Sequence, residues 1–380
     1  MKDLSESRIL IVDDVKANVD VLVHALRGEY KLSVALDGAA ALRSIEKNPP
    51  DLVLLDILMP PGIDGYEVCR LIRANEATKE IPVMFLSSLE DVRDKARGFE
   101  VGGNDYLTKP FEALEVQARV RSLLKAKAYN DAIRDAIARE LRIAREIQMG
   151  ILPADLTAAT RGTPLDVQAI IEPARKVGGD LYEVLRAADD RVVVALGDVS
   201  GKGVPAALFM AVAVTVLRTL ARSISDPAEI LRRLNDELAE QNPRGMFVTI
   251  QCLVFDLAKR QVSGAGAGHH QLVVLSPGQP PRFAFPSSGR PAGLMPLNPI
   301  SSESMPLEPG DTFVLFSDGV SEAMNANDDF FGEDRLVAVL DALAPCAPAD
   351  IVRETLNAVR DFAGAAPQSD DITILAARYQ

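Results

Sequence analysis

Cysteine, basic charge and long apolar runs are all scarce in this chain, and each scarcity removes a class of protein. The three cysteines, Cys69, Cys252 and Cys346, lie far apart with no CxxC spacing. That speaks against a disulfide framework or a zinc site and fits a reducing cytoplasm. Lys and Arg total 41 against 54 Asp and Glu, a formal net charge of −13. Nucleic acid is not an expected partner, because binding a phosphate backbone needs clustered Lys and Arg. The acidic balance suits a protein that holds cations with carboxylates. The longest apolar run, Ala206–Leu217, ends at Arg218 and falls short of the ~20 residues that span a bilayer. It reads as a buried helix, and no membrane association is expected. A polar, charged stretch follows Met1, so no signal peptide is expected.

What is present is a chain of 380 residues, 48% apolar and 25% charged. That is enough for two domains with separate cores. The first third alternates apolar runs with amphipathic stretches. Ile9–Val12, Asp51–Leu55 and Ile81–Leu86 read as parallel strands buried on both faces, with helical patterns Ala17–Leu26, Ala39–Ile45 and Gly65–Ile72 between them. The alternation predicts a doubly wound α/β domain with a parallel five-stranded sheet over residues 1–124.

Residues 125–155 read as a helical linker. Lys125–Ile151 has no Gly before Gly150 and no Pro before Pro153. Ile133, Ile137, Leu141, Ala144, Gln148 and Ile151 recur every three or four residues on one side. The stripe suits a dimeric coiled coil or a helix packed on its own chain; the first is the reading adopted.

Residues 156–380 change character. Leu165–Ile171, Arg191–Leu196, Phe247–Phe255 and Thr312–Phe316 read as strands between Gly- and Pro-rich turns. Helical stretches fall at Pro205–Ala221, Pro227–Gln241, Glu333–Leu343 and Pro348–Phe362, and Pro277–Pro309 reads as loop. This is the pattern of an α+β domain with antiparallel sheets.

Two groups of residues stand at strand ends. In the first domain Asp13 and Asp14 follow one strand, Asp56 a second and Ser87 a third, and Lys109 follows a short strand near Asp105–Leu107. In an open α/β sheet, functional groups gather beyond the carboxyl ends of the strands. Three carboxylates together call for a hard cation such as Mg²⁺. That cation offsets the charge of an incoming phosphoryl group and leaves Asp56 as nucleophile. Ser87 can then hydrogen-bond the phosphoryl oxygens and Lys109 can pair with them.

The segment resembles the receiver domain of bacterial response regulators. Matching residues are Asp13–Asp14, Asp56 with Met59–Pro60, Asp64–Gly65, Ser87 and Lys109–Pro110–Phe111. The resemblance implies phosphotransfer from a cognate histidine kinase to Asp56, a cis bond before Pro110 and a switch aromatic at Tyr106. Met59–Asp64 is one residue longer than the usual loop. A degenerate receiver that takes no phosphate is the alternative, but no site residue is missing.

In the second domain Gly178–Gly179–Asp180 opens a strand, and Arg191–Leu196 returns to Gly197–Asp198. A hairpin centred on Asp189 sets Asp180 opposite Asp198, with Cα atoms about 4.5–5.5 Å apart. Opposed like charges destabilise a sheet unless a cation lies between them. Asp318 and the pair Asp370–Asp371 also sit at strand ends. An all-oxygen ligand set favours Mg²⁺ or Mn²⁺ over zinc, and two such ions activate water and clamp a phosphoryl group.

These motifs resemble the bacterial PPM-type protein phosphatases of the sporulation and stress-regulator branch. The matches are Val177–Gly178–Gly179–Asp180, Gly197–Asp198–Val199–Ser200–Gly201–Lys202–Gly203, Ala206–Ala207, Ala267–Gly268–His269, Ser317–Asp318–Gly319–Val320 and Asp370–Asp371–Ile372–Thr373, with Ala144–Gln148 and Leu152–Pro153 ahead of them. The resemblance implies a β-sandwich flanked by helices and two Mn²⁺ or Mg²⁺ ions. Asp198 would bridge the ions, the Val199 carbonyl would add a ligand, and Asp180, Asp318 and Asp370 would complete the set. It also implies a phosphoserine or phosphothreonine protein substrate, such as an antagonist of an anti-sigma factor. Glu183 stands where the family often has Asp, and His270–Gln271 replaces common prolines. No phosphate-binding arginine can be placed, and His269 reads as structural. The expected protein is thus a cytoplasmic, homodimeric response regulator with a phosphatase output. The rival is a non-enzymatic scaffold that docks a sigma-regulatory partner. A kinase output lacks any ATP motif.

Overall fold

The apolar runs of the first third become the middle strands of a parallel sheet. The computed structural model describes residues 4–88, 92–188, 190–240, 242–285, 287–296 and 298–380, with the side chains of 92–94 left aside. The chain divides into two units, Met1–Arg139 and Glu140–Gln380.

The first unit runs β1 (Arg8–Val12), α1 (Lys16–Leu26), β2 (Lys31–Ala35), α2 (Gly38–Lys47), β3 (Leu52–Asp56), α3 (Gly65–Ala74), β4 (Val83–Ser87), α4 (Val92–Glu100) and β5 (Asp105–Thr108), then enters α5 (Ala113–Ile151). The sheet order is β2–β1–β3–β4–β5, all parallel. Alternate residues go to opposite faces, as the period of two requires. Leu10, Val12, Val53 and Leu55 join one core, and Ile9, Ile11, Leu52 and Leu54 the other. After β2 the chain crosses to the other side of β1, so the switch point lies beyond the ends of β1 and β3. The sequence reading named no strand at β2. It is an edge strand whose mixed, exposed KLSVA pattern carries no apolar run.

The predicted helix Lys125–Ile151 is the second part of α5, which is 39 residues long. Val116, Val120 and Leu124 are buried in the first unit, whereas Ile133 and Ile137 are exposed.

The second unit contains α6 (Leu156–Thr160), β6 (Leu165–Glu172), β7 (Leu181–Arg186), β8 (Arg191–Val199), α7 (Val204–Ala221), α8 (Pro227–Glu240), β9 (Val248–Asp256), β10 (Gln261–Ala267), β11 (Leu272–Leu275), β12 (Arg282–Ala284), β13 (Glu303–Pro306), β14 (Thr312–Phe316), α9 (Asp318–Ser321), α10 (Gly332–Leu343), α11 (Pro348–Ala363) and β15 (Ile372–Tyr379). Two antiparallel sheets form, ordered β13–β10–β9–β8–β7 and β12–β11–β14–β15–β6. Their shared core joins Val192, Val194 and Phe255 to Phe313, Leu315 and Leu375. Phe255 and Phe313 meet edge to face at 5.4 Å across it. Helices α7 and α8 cover the first sheet, and α10 and α11 the second.

The stretch Pro277–Pro309, expected to be loop, contains β12 and β13. Both are edge strands of three or four residues, too short and too polar to show an alternation. Helix α7 is long and apolar enough by composition to cross a membrane. Its inner face, Ala206, Met210, Ala213, Val214 and Leu217, is buried in the core, as the sequence reading expected. The expected hairpin centre Asp189 and helix end Gln241 lie outside the described residues.

Candidate functional sites

In the first unit Asp13 follows β1, Asp56 ends β3, Ser87 ends β4 and Lys109 follows β5. Parallel pairing brings these ends together. Oxygens of Asp13, Asp14 and Asp56 lie within 4.8 Å of one another, the one such carboxylate trio among the described residues. Lys109 Nζ reaches Asp13 Oδ2 and Asp56 Oδ2, each at 2.8 Å. The remaining Asp13 oxygen accepts from the Val15 N–H at 2.9 Å, and the Asn18 side chain also donates to Asp13. Asp56 Oδ1 accepts from the Ile57 N–H at 2.8 Å. Burial raises the Asp56 carboxyl above its ordinary value, against the pull of Lys109. For Lys109, burial works against the charge, but its hydrogen bonds to Asp13 and Asp56 prevail and raise it. Ser87 is buried beside them, its carbonyl accepting from the Lys109 N–H at 2.7 Å. The peptide bond before Pro110 is cis and Tyr106 is buried. The longer loop holds a second cis bond, Pro60–Pro61.

In the second unit the counted hairpin is real. Leu181 pairs with Gly197 and each inward pair follows in step, a register that sets Asp180 opposite Asp198. Strands β14 and β15 are antiparallel neighbours, which brings Asp318, just past β14, to Asp370, just before β15. The cluster is therefore built from two sheets, one pair of aspartates from each. It is short of positive charge. Asp198 is pushed from 3.8 to about 7, by burial first and then by the Asp318 carboxylate, although a hydrogen bond with Asp180 works the other way. Asp180, fully buried, is pushed well up by burial and by Asp198. Burial and Asp370 raise Asp318.

This arrangement fits divalent ions. Asp180 Oδ1 and Asp318 Oδ1 are buried without a hydrogen-bond partner, a state that costs about 1–3 kcal/mol per group unless something binds there. The Val199 carbonyl is also in place, 2.6 Å from where a Cβ on Gly179 would stand.

Several residues around the site escaped the sequence reading. Asp371, placed at a strand end with Asp370 but given no role, turns away from Asp370 and binds backbone. Its oxygens accept from Ala174 N at 2.8 Å and Gly179 N at 2.7 Å. A Cβ on Gly178 would lie 1.9 Å from Asp371 Oδ2, which explains the glycine there. The Thr373 hydroxyl donates to Asp180 Oδ2. Gln148, placed on the coiled-coil stripe, is buried against its own chain. Its amide donates to Gly178 O at 2.6 Å and accepts from Gly178 N at 3.2 Å. The C-terminal part of the stripe thus packs within the second unit. Glu183 pairs with Arg218, which also bonds Ile151 O. No local pattern announces contacts that span 30 residues or more.

His269 is structural, as expected. Its Nδ1 lies 2.8 Å from Thr249 Oγ1 and its Nε2 donates to Phe316 O at 3.1 Å. Burial, and then His270, hold its pKa down to about 3, so the ring is neutral.

Comparison with known proteins places both units. The family model for stage II sporulation protein E matches residues 188–380, and the model for the response regulator receiver domain matches 9–121. Response regulator PleD of Caulobacter vibrioides is 43% identical over 129 residues, 34% of this chain and 28% of that protein. Protein IcfG of Synechocystis is 29% identical over 274 residues, 64% of this chain and 42% of that one. The chain therefore spans less than half the length of either relative. Among solved structures, the SiaA-PP2C domain of Pseudomonas aeruginosa superposes with a TM-score of 0.59 at 27% identity, covering 66% of this chain and 99% of that one.

Proposed function

The chain belongs to the stage II sporulation protein E family and carries a receiver domain; from that premise we propose that it is a response regulator whose output is a metal-dependent protein serine/threonine phosphatase. The observation that carries this reading is the convergence of Asp180, Asp198, Asp318 and Asp370 from two sheets, with two buried oxygens lacking partners. When bound, two Mn²⁺ or Mg²⁺ ions supply an activated water and neutralise phosphoryl charge.

Asp318 raises Asp198 and Asp198 in turn raises Asp180, which sets Asp198 among the other carboxylates, as the residue that would hold both ions. Asp180, Asp318, Asp370 and the Val199 carbonyl complete the ligand set. Asp371 and Gln148 hold the backbone of Gly178 and Gly179, and so position Asp180.

In the receiver, Asp13, Asp14 and Asp56 hold Mg²⁺, Asp56 takes the phosphoryl group from a histidine kinase, and Lys109 and Ser87 receive its oxygens. Because Lys109 already bridges Asp13 and Asp56, phosphorylation must redirect it, and that rearrangement starts the signal. The exposed Ile133 and Ile137 on α5 suit a homodimer contact, and α5 continues to Gln148 at the second site. The substrate is a phosphoserine or phosphothreonine protein of the cytoplasm, and the branch resembled points to an anti-sigma factor antagonist.

The deciding experiment measures Mn²⁺-dependent phosphate release from a phosphorylated antagonist, with and without acetyl phosphate, alongside particle mass by light scattering. The parent protein should release phosphate, and acetyl phosphate should change its rate about fivefold or more. Asp56→Asn should remove that response. No metal-dependent release would favour the scaffold; an equal response in both proteins would rule out control through Asp56. A monomer under both conditions would remove the dimer.

A further inference from the structure

The second site is rich in carboxylates, and Lys202 is the one Lys or Arg paired with any of its four aspartates among the described residues. Its Nζ lies 2.8 Å from Asp370 Oδ2 and donates to Ser369 O at 2.7 Å. Resting on the phosphatase reading above, we propose that Lys202 binds the phosphoryl group of the substrate, exchanging Asp370 for it when a metal ion occupies Asp370.

Charge comes first. Asp370 cannot serve the ammonium and a divalent ion equally, because the two cations repel each other and compete for the same oxygens. A phosphoryl dianion arriving at the site is the natural new partner, and an ammonium is well suited to it as a mobile point charge.

The backbone permits the exchange. Lys202 stands between Gly201 and Gly203, both at positive φ, 84° and 80°. The turn is fixed just before it, where Ser200 N donates to Phe247 O at 2.8 Å and Phe247 N donates to Ser200 Oγ at 2.9 Å. The Lys202 side chain is 40% exposed, against 16% for Lys109 in the receiver, so an incoming substrate can reach it.

Other cations near the site are less suited. Arg218 is committed to Glu183 and Ile151 O. Arg175 and Lys176 are exposed on the stretch before Gly178 and make no ion pair with the four aspartates.

The test compares Lys202→Met, Lys202→Arg and Arg175→Met with the parent. Steady-state kinetics on a phosphoprotein, inhibition by inorganic phosphate, and calorimetric Mn²⁺ titration without substrate are measured. Lys202→Met should raise KM and the inhibition constant of phosphate about tenfold, with kcat within about threefold of the parent, the pattern of lost ground-state binding. Its Mn²⁺ affinity should be equal or tighter, since the competing ammonium is gone. Lys202→Arg should keep most of the parent KM. Unchanged KM and phosphate inhibition in Lys202→Met would overturn the proposal. So would a rise in KM confined to Arg175→Met. Weaker Mn²⁺ binding with lower kcat at constant KM would show instead that Lys202 only steadies the turn. A parent protein that hydrolyses nothing with Mn²⁺ would refute the phosphatase reading itself, and this inference with it.

Discussion

The receiver and the second unit, the proposed phosphatase, each gather aspartates at strand ends, and they balance that charge in different ways. In the receiver Lys109 enters the cluster and touches Asp13 and Asp56 at once, 16% exposed. In the phosphatase unit Lys202 reaches only Asp370 from the side, and Asp180, Asp198 and Asp318 have no ion pair among the described residues. In the receiver Lys109 opposes the burial that raises Asp56. The second cluster has no such cation between its carboxylates among the described residues, and Asp198, raised first by burial and then by Asp318, goes to about 7. The contrast suits the tasks proposed for them. A receiver must wait, assembled, for a phosphoryl group; a hydrolase that depends on metal can leave its charge for the metal to complete.

The sharpest way to break this contrast is to remove a phosphatase carboxylate. Asp198→Asn should abolish hydrolysis, a loss of several kcal/mol or about a thousandfold in rate. Mn²⁺ binding should weaken in parallel. The protein should stay folded, because repulsion with Asp180 is removed. Parental turnover by this variant at limiting Mn²⁺ would place the chemistry elsewhere.

A smaller effect is expected from the backbone support. Gln148→Leu leaves the Gly178 N–H and carbonyl without partners, a cost of about 1–3 kcal/mol. Mn²⁺ affinity should fall about tenfold through misplacement of Asp180, in line with the loss of an outer-shell partner. Thermal melting and metal titration read both. If affinity is unchanged while stability falls, Gln148 supports the fold and not the site.

The smallest effect is one of pH. Without metal, the folded protein holds at Asp198 a proton that the unfolded chain releases near 3.8. This contribution is therefore full below about pH 4 and is lost as the pH rises through about 7. Burial raises Asp180 and Asp318 in the same direction. Urea midpoints in chelator should fall for the second unit between pH 5 and pH 7.5, and the fall should be shallower in Asp198→Asn. A midpoint that rises over that range would contradict the account of the charge.

The residues that mark both sites were legible because strand ends are legible. Asp13, Asp56 and Ser87 each close an apolar run, and the opposition of Asp180 to Asp198 follows from counting back from one turn. Asp370 was set apart from Asp371 by the resemblance alone, because two identical neighbours differ only in which face of the chain they occupy. Gln148 was read as part of a stripe, since periodicity shows a direction and not a partner. The pairing of Glu183 with Arg218 joins residues 35 apart, beyond any local pattern. Strands β2, β12 and β13 lie at sheet edges, where burial is one-sided or slight and leaves little apolar signature.

The division of labour between Asp370 and Asp371 makes β15 sensitive to alignment. Strand β15 pairs with β6 from Ile372 opposite Glu172 to Tyr379 opposite Leu165, and with β14 on its other side. A slip of one position would bring Asp371 to the place proposed for the ion and Ile372 to the amides of Ala174 and Gly179, where a carboxylate is needed. Two adjacent, chemically identical residues therefore act as a vernier for the strand. Only one alignment satisfies the backbone and the proposed metal site together, so on that reading hydrolysis itself reports that the sheet has been assembled in step.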